Sequence, residues 1–238
     1  MKILSIDTSA SVASAAVTED EKLVCEIIVN NKLTHSQTLM PMIDSVLKQS
    51  ETELSEIDLI AVANGPGSFT GLRIGVSTAK GLADALKKPV VGISTLTAMA
   101  YNLPYCEYLI TPIMDARRSQ VYNAIYRWKG TKLEEIEPPR ALSVEELIEE
   151  LKEKGEKAVF LGDGVPVHRE TIENILGENA IFAPSCSNAQ RASVLAVPAK
   201  KMFEQGKATN GFGLIPVYLR KSQAEREAEE REKEKRLI

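Results

Sequence analysis

The sequence predicts an α/β protein built as two successive halves. Three observations carry this: a β-rich meander over residues 2–29, strand and helix patterns that alternate from Ser36 to Ile93, and a looser return of that alternation after residue 100. With 238 residues the chain suits one large domain or two small ones, and it can bury roughly 70% of its unfolded surface. The expected division is 1–100, 101–220 and a charged tail over 221–238.

Residues 2–8 alternate and end at Asp7-Thr8-Ser9, a strand running into a tight polar turn. Residues 12–18 and 23–29 are β-rich on either side of Glu19-Asp20-Glu21-Lys22, which makes the opening a three-stranded antiparallel unit. From Ser36 to Ser50, Leu39, Met42, Ile43, Val46 and Leu47 recur at helical spacing, with Pro41 in the tolerant early part. Asp58–Ala63 reads as a short apolar strand broken by Asn64-Gly65-Pro66-Gly67-Ser68, Gly71–Leu86 as a helix, and Pro89–Ile93 as a buried strand. Glu107–Met114 and Gln120–Trp128 read as strands around the turn Asp115-Ala116-Arg117-Arg118. Ser143 caps a helix with Glu145 and Glu146 in its first turn, where the helix dipole favours them. Ala158–Leu161 reads as a strand closed by Gly162-Asp163-Gly164, Pro166–Leu176 and Asn188–Glu204 as helices, and Leu214–Leu219 as a last strand. Over 221–238 six basic and six acidic residues alternate with almost no apolar face, so a solvated helix or frayed tail, dispensable for folding, is expected.

A net charge of −4 argues against a stand-alone nucleic-acid binder, which needs a basic face to release counterions. No apolar run approaches the ~20 residues of a membrane span, and Asp7 comes too early for a signal peptide. Cys25, Cys106 and Cys186 form no zinc or redox spacing, so a reducing cytoplasm is expected. With only His35 and His168, a histidine-rich metal centre is not expected.

The run from Asn64 to Arg73 is the most informative. A glycine-rich loop leaves a strand and opens a helix, where free N–H groups and the helix dipole favour an anion. It lacks the Gly-Lys-Ser/Thr ending of a P-loop, and tight turns with close packing also account for its glycines. Asp7, with Thr8 and Ser9 beside it, suits either a magnesium–phosphate contact or a plain Asx-turn. His35 reads as a cap or surface residue, and His168 as a surface residue. The helix from Gly71 keeps Arg73, Lys80, Asp84 and Lys87 on one narrow arc and is apolar or small over an arc wider than the roughly 100° a surface helix needs. The Ser36–Ser50 helix has a broad apolar arc as well. Such helices are either sandwiched within the chain or covered by a partner.

Together these residues resemble the TsaB (YeaZ) family. The matching runs are Ile6-Asp7-Thr8-Ser9; His35-Ser36 with Leu39 and Pro41; Gly65–Gly75 leading to Ala79-Lys80-Gly81-Leu82-Ala83; Val91–Leu96; Met114–Arg118 with Val121-Tyr122; and Pro216–Arg220. The resemblance implies the ASKHA (actin-like ATPase) fold of two ribonuclease-H-like domains. It implies a role beside TsaD and TsaE in threonylcarbamoyl transfer to adenosine 37 of tRNAs that read ANN codons. Where TsaD carries its metal-binding histidines this chain has Ser94, Thr95 and Met99. A hydroxyl and a thioether do not replace imidazoles, so no catalytic residue and no tight metal are expected. Nucleotide, ATP or ADP, is expected to bind weakly at most, at Asp7, Thr8, Ser9, Gly65, Gly67, Ser68 and Gly71. The two wide-arc helices are expected to meet TsaD, or a second copy when the chain is alone. Leu39, Met42, Val46, Ile74 and Leu82 would fill that contact, and small Gly71, Gly75, Thr78 and Ala85 would let the helices close in. tRNA is expected to be met through the complex, and no membrane is involved. The alternative is an ASKHA-type ATP-dependent phosphotransferase or ATPase. A metallopeptidase is disfavoured for want of an HExxH motif.

Overall fold

Two five-stranded mixed sheets organise the chain, and they share one plan. In the computed structural model, which describes residues 1–31 and 33–220, the first sheet holds β1 (Lys2–Asp7), β2 (Ala13–Glu19), β3 (Lys22–Val29), β4 (Leu59–Gly65) and β5 (Val90–Ser94) in the order β3-β2-β1-β4-β5. β1, β2 and β3 are antiparallel, whereas β4 and β5 run parallel to β1. The second sheet holds β6 (Leu109–Asp115), β7 (Gln120–Lys129), β8 (Lys132–Ser143), β9 (Ala158–Leu161) and β10 (Ala180–Phe182) in the order β10-β9-β6-β7-β8. Again the first three are antiparallel and the last two parallel to the first. The crossover helices correspond too. α1 (His35–Gln49) and α2 (Phe69–Leu86) flank β4 as α4 (Val144–Lys154) and α5 (Val165–Leu176) flank β9. No sequence repeat announces this duplication. α3 (Thr95–Ala100) leads from the first sheet to the second.

α1 turns Leu39, Met42, Ile43 and Val46 inward at i, i+3, i+4 and i+7. They join Leu4, Ile6 and Val62 of the sheet and Val76 and Ala79 of α2 in one core. α2 begins at Phe69, two residues before the expected start, because the Ser68 hydroxyl caps it by accepting from the Gly71 N–H. Ser143 caps α4 as expected, in a reciprocal box with Glu146. Among the described residues no helix is long and apolar enough to cross a membrane.

Four expectations need correction. The helix over Asn188–Glu204 is broken into α6 (Ser185–Asn188), a turn at Ser193–Leu195 and α7 (Ala196–Glu204). The residues between are held elsewhere: the Ala189 carbonyl accepts from Asn102, and Arg191 pairs with Glu26 on β3. Leu214–Leu219 is not a strand. Pro216 has no N–H for a ladder, and the segment is held on β4 through Asn64, Val217 N–H donating to the Asn64 carbonyl and the Asn64 amide to the Ile215 carbonyl. The end of the described chain also crosses the division at residue 100: Leu195, Ala196 and Ala199 pack on the first sheet with Ile3 and Leu59. His168 is buried, because it shares the inward face of α5 with Val165, Ile172 and Leu176. β8, which no expectation covers, carries Pro138 and Pro139 and lies at the edge of its sheet, where both are tolerated. The tail expectation falls on 221–238, outside the described residues.

Candidate functional site

The two sheets present their matching ends to each other across a cleft of about 800 Å³. At that end each half carries the carboxylate that ends its first strand, Asp7 or Asp115, of which only Asp115 reaches the cleft, and the loop between its fourth strand and second crossover helix, Gly65–Ser68 or Gly162–Gly164. The cleft walls include Ser9, His35, Ser68, Asp115, Arg117 and Asp163.

On the first side, Asp7 is fully buried and does not line the cleft. Its Oδ1 accepts from the Ser9 N–H at 2.8 Å and the Ser9 hydroxyl at 2.6 Å, an Asx-turn, while Oδ2 has no partner. Burial pushes this carboxyl up to about 6, against the pull of the Ser9 bonds and the His35 charge. Thr8 is likewise buried, and its hydroxyl donates to the Gly71 carbonyl at 2.7 Å. The loop closes on this turn. Ser68 N–H donates to the Ser9 carbonyl at 2.7 Å, and a Cβ on Gly67 would stand 2.2 Å from that same oxygen. Gly65, at φ +125°, lies under Val217, whose carbonyl oxygen would sit 2.2 Å from an added Cβ. Of the seven residues expected around a nucleotide, Ser9, Gly67, Ser68 and Gly71 therefore reach the cleft wall, whereas Asp7, Thr8 and Gly65 stand behind it. The Ser68 N–H is taken by the Ser9 carbonyl and the Gly71 N–H by the Ser68 hydroxyl, while the N–H groups of Gly67, Phe69 and Thr70 are left without a partner among the described residues.

His35 belongs to this site. Its Nε2 lies 2.7 Å from the Ala10 carbonyl, which can only accept, so Nε2 carries the proton. Across the cleft, Asp163 Oδ1 accepts from the Asp115 N–H at 3.3 Å. Burial raises the Asp163 carboxyl to about 6; the Asp115 N–H opposes the rise and the Asp115 charge adds to it. Arg117, Arg118 and Ser119 all have left-handed backbones, φ +63°, +55° and +55°, and Arg117 lines the cleft. Residues 217–220 close one side. Tyr218 stacks on Phe69 with centroids 4.0 Å apart, Arg73 lies over Phe69 and donates to the Tyr218 hydroxyl, and Arg220 donates to the Ala116 carbonyl at 2.8 Å. Neither Asp115 nor Arg220 stood out in the sequence as a site residue; the Asp-then-polar-turn pattern after a first strand, shared with Asp7, is the signal that finds Asp115.

The expected interface residues separate into two groups. Leu39, Met42 and Val46 are core, sealed within one chain. Gly71 and Gly75 are also buried, and their small size serves Thr8: an added Cβ would stand 2.0 Å from the Thr8 carbonyl oxygen and 2.3 Å from its hydroxyl, respectively. Those five cannot face a partner. Ile74, Thr78 and Ala85 fall on one stripe of α2, with Ala85 exposed, Thr78 half-buried and Ile74 half-buried at the cleft wall; Ile74 and Leu82 also pack against the first core. Thr95 and Met99 lie in the interior, where Met99 packs against Gly162 and takes a contact from Gln190. Among the described residues no three His, Cys, Asp or Glu side chains converge as metal ligands would.

The family model for tRNA N6-adenosine threonylcarbamoyltransferase, TsaD, matches residues 23–228 of this chain. The chain is 37% identical over 225 residues to the tRNA threonylcarbamoyladenosine biosynthesis protein TsaB of Bacillus subtilis (strain 168), covering 94% of this chain and 96% of that one. A solved structure from Pseudomonas aeruginosa, described as an uncharacterized protein with similarity to peptidase YeaZ, superposes with a TM-score of 0.77 at 26% identity, covering 92% and 99% of the two chains. The ethanolamine utilization protein EutJ from Carboxydothermus hydrogenoformans shares the fold, with a TM-score of 0.52 at 13% identity over 83% and 89% of the chains.

Proposed function

The chain belongs to the TsaB family of tRNA threonylcarbamoyladenosine biosynthesis proteins and has the actin-like ATPase fold, and on that premise we propose that it is a non-catalytic partner subunit of a TsaD-type transferase. The observation that carries this reading is the burial of Thr95 and Met99. Both side chains are sealed in the interior, Met99 directly against Gly162, so the positions at which the resembling transferases place histidines are buried within the chain here. The stripe of α2 that carries Ile74, Thr78 and Ala85 supports a helix-to-helix contact with the TsaD-type subunit or, in its absence, with a second copy. TsaE and tRNA then join through that assembly. The test is reconstitution: the TsaD-type and TsaE-type proteins, with and without this chain, are assayed for threonylcarbamoyl incorporation into tRNA. Incorporation that needs this chain, with none from the chain alone, supports the reading; incorporation by the chain alone overturns it.

Nucleotide, on this reading, binds weakly at most. The open N–H groups of Phe69 and Thr70 offer an anion site without a lysine over it. A second reading, an ATP-dependent phosphotransferase, draws on Asp163 and Asp115 standing across the cleft from that helix start. Turnover of ATP by the isolated chain, abolished by Asp163→Asn, decides for the second; no turnover leaves the first.

A further inference from the structure

Aromatic residues are 5% of this chain, yet Tyr101, Tyr105 and Tyr108 fall within eight residues of one loop. The fold brings that loop to Trp128, at the end of the second sheet away from the cleft, where β6 and β9 begin and β7 ends. Trp128 Nε1 donates to the Leu103 carbonyl at 2.9 Å and pins the loop. Tyr101 meets the indole edge-on at 5.4 Å, and Tyr105 leans on it at 5.3 Å. Tyr105 is the unusual member. It has a left-handed backbone, φ +57°, which a bulky residue rarely adopts, and the residue remains 64% exposed. Two cations stand over neighbouring rings, Lys201 on Tyr101 at 6.0 Å and Lys157 on Tyr108 at 5.9 Å. Neither lysine forms an ion pair among the described residues, whereas the nearby Arg127 is paired with Glu156. Glu107 is the one acid of the loop.

A chain of net charge −4 does not hold a polyanion by its overall field. Stacking needs no such field, because every base has a π-face and an exposed aromatic platform takes it regardless of sequence. We propose that this end of the second sheet, Tyr105 and Trp128 flanked by Lys157 and Lys201, binds an unpaired stretch of RNA, bases on the rings and phosphates on the lysines. The proposal rests on the tRNA-modifying reading above, and it places an RNA contact on this chain's own surface.

Trp128 is the only tryptophan, so its emission reports on the platform alone. The full chain, by itself and assembled with a tryptophan-free TsaD-type subunit, is titrated with a short RNA hairpin bearing an unpaired loop and with a blunt duplex of equal length. The expected result is saturable quenching by the hairpin and little by the duplex. Tyr105→Ala is expected to weaken hairpin binding roughly tenfold, and Lys201→Ala to flatten its salt dependence. Unchanged emission with the hairpin, from an assembly that still modifies tRNA, overturns the platform and leaves the proposed function standing. Quenching by added TsaE-type protein without RNA, and none by RNA, also overturns it and makes the surface a protein contact. Tyr105→Ala and Lys201→Ala both binding the hairpin as the parent does overturns it as well.

Discussion

The Thr8 hydroxyl donates to the carbonyl of Gly71 at 2.7 Å, and this bond seats the first turn of α2 directly on the end of β1. The seat leaves no room for a side chain. Gly71→Ala sets a Cβ against the Thr8 backbone oxygen, which cannot retreat, and should cost about 3 kcal/mol or more. Gly75→Ala meets only the Thr8 hydroxyl and should cost roughly 1–3 kcal/mol. Thr8→Ala removes that obstacle, so Thr8→Ala with Gly75→Ala should be more stable than the two single losses predict. Urea unfolding of the four proteins measures the coupling; strict additivity would show that Thr8 and Gly75 do not compete for the same space.

Asp7 makes stability depend on pH in the reverse of the usual carboxylate sense. Its folded value, about 6, lies above the ordinary 3.8, so between those limits the folded state binds more protons than the unfolded one. Stability from this group is therefore highest below about pH 4 and falls as pH rises through about 6, by roughly 2–3 kcal/mol at most. Asp163 is raised similarly but lies half-exposed at the cleft wall, so its share is smaller. Asp7→Asn should keep the oxygen that accepts from Ser9 and flatten the decline between pH 5 and 7. Denaturation midpoints for both proteins across that range give the comparison, and parallel curves would count against the assignment to Asp7.

Glu26 on the edge strand β3 is almost fully buried, and Arg191 reaches it with Nε at 3.1 Å and Nη2 at 2.5 Å while the Ser193 N–H donates to its other oxygen at 2.9 Å. This pair fastens the segment before α7 to the first sheet. Arg191→Met leaves the buried carboxylate without its cation, at a cost of about 2–3 kcal/mol given that Arg191 is partly exposed. Hydrogen exchange should quicken over 193–204 and change little in α4, which belongs to the other sheet. Equal acceleration in both places would mean that the clip is not local.

The first sheet, its two crossover helices and Ser143 as a cap were legible because each rests on local pattern: β-rich or apolar runs bounded by polar turns, i and i+3 apolar spacing, a hydroxyl before an acidic turn. The break at Gln190 and the unladdered course of Leu214–Leu219 were not, because both are set by partners more than a hundred residues distant, Glu26 and Asn64. At the site, the glycine loop was visible but its direction was not. Which N–H groups of Gly67–Gly71 face a ligand depends on the Ser9 carbonyl, and sequence does not show that carbonyl turned toward Ser68. The wide apolar arc of α1 turns mostly inward, onto the first core. An apolar count cannot separate core from interface on a helix that lies between a sheet and a neighbour.

That separation yields the test of the partner surface. Ile74, Thr78 and Ala85 follow one another at i, i+4 and i+11 along one stripe of α2, whereas Val46 is fully buried on the inward face of α1. A glutamate at Ala85 stands in water in the lone chain, so folding should be unaffected. In a helix-to-helix contact it would be buried without a partner, at a cost of several kcal/mol, enough to abolish an interface of ordinary size. Ile74→Glu should act alike on binding but also lower stability modestly, because Ile74 packs at the margin of the core. Val46→Glu is the internal control: it should unfold the chain, since it sets a charge in the first core. Circular dichroism reports folding, and light scattering with and without the TsaD-type protein reports both self-association and pairing. If Ala85→Glu and Ile74→Glu are folded and still pair at the parent affinity, α2 is an ordinary solvent-facing helix and the partner surface lies on another face.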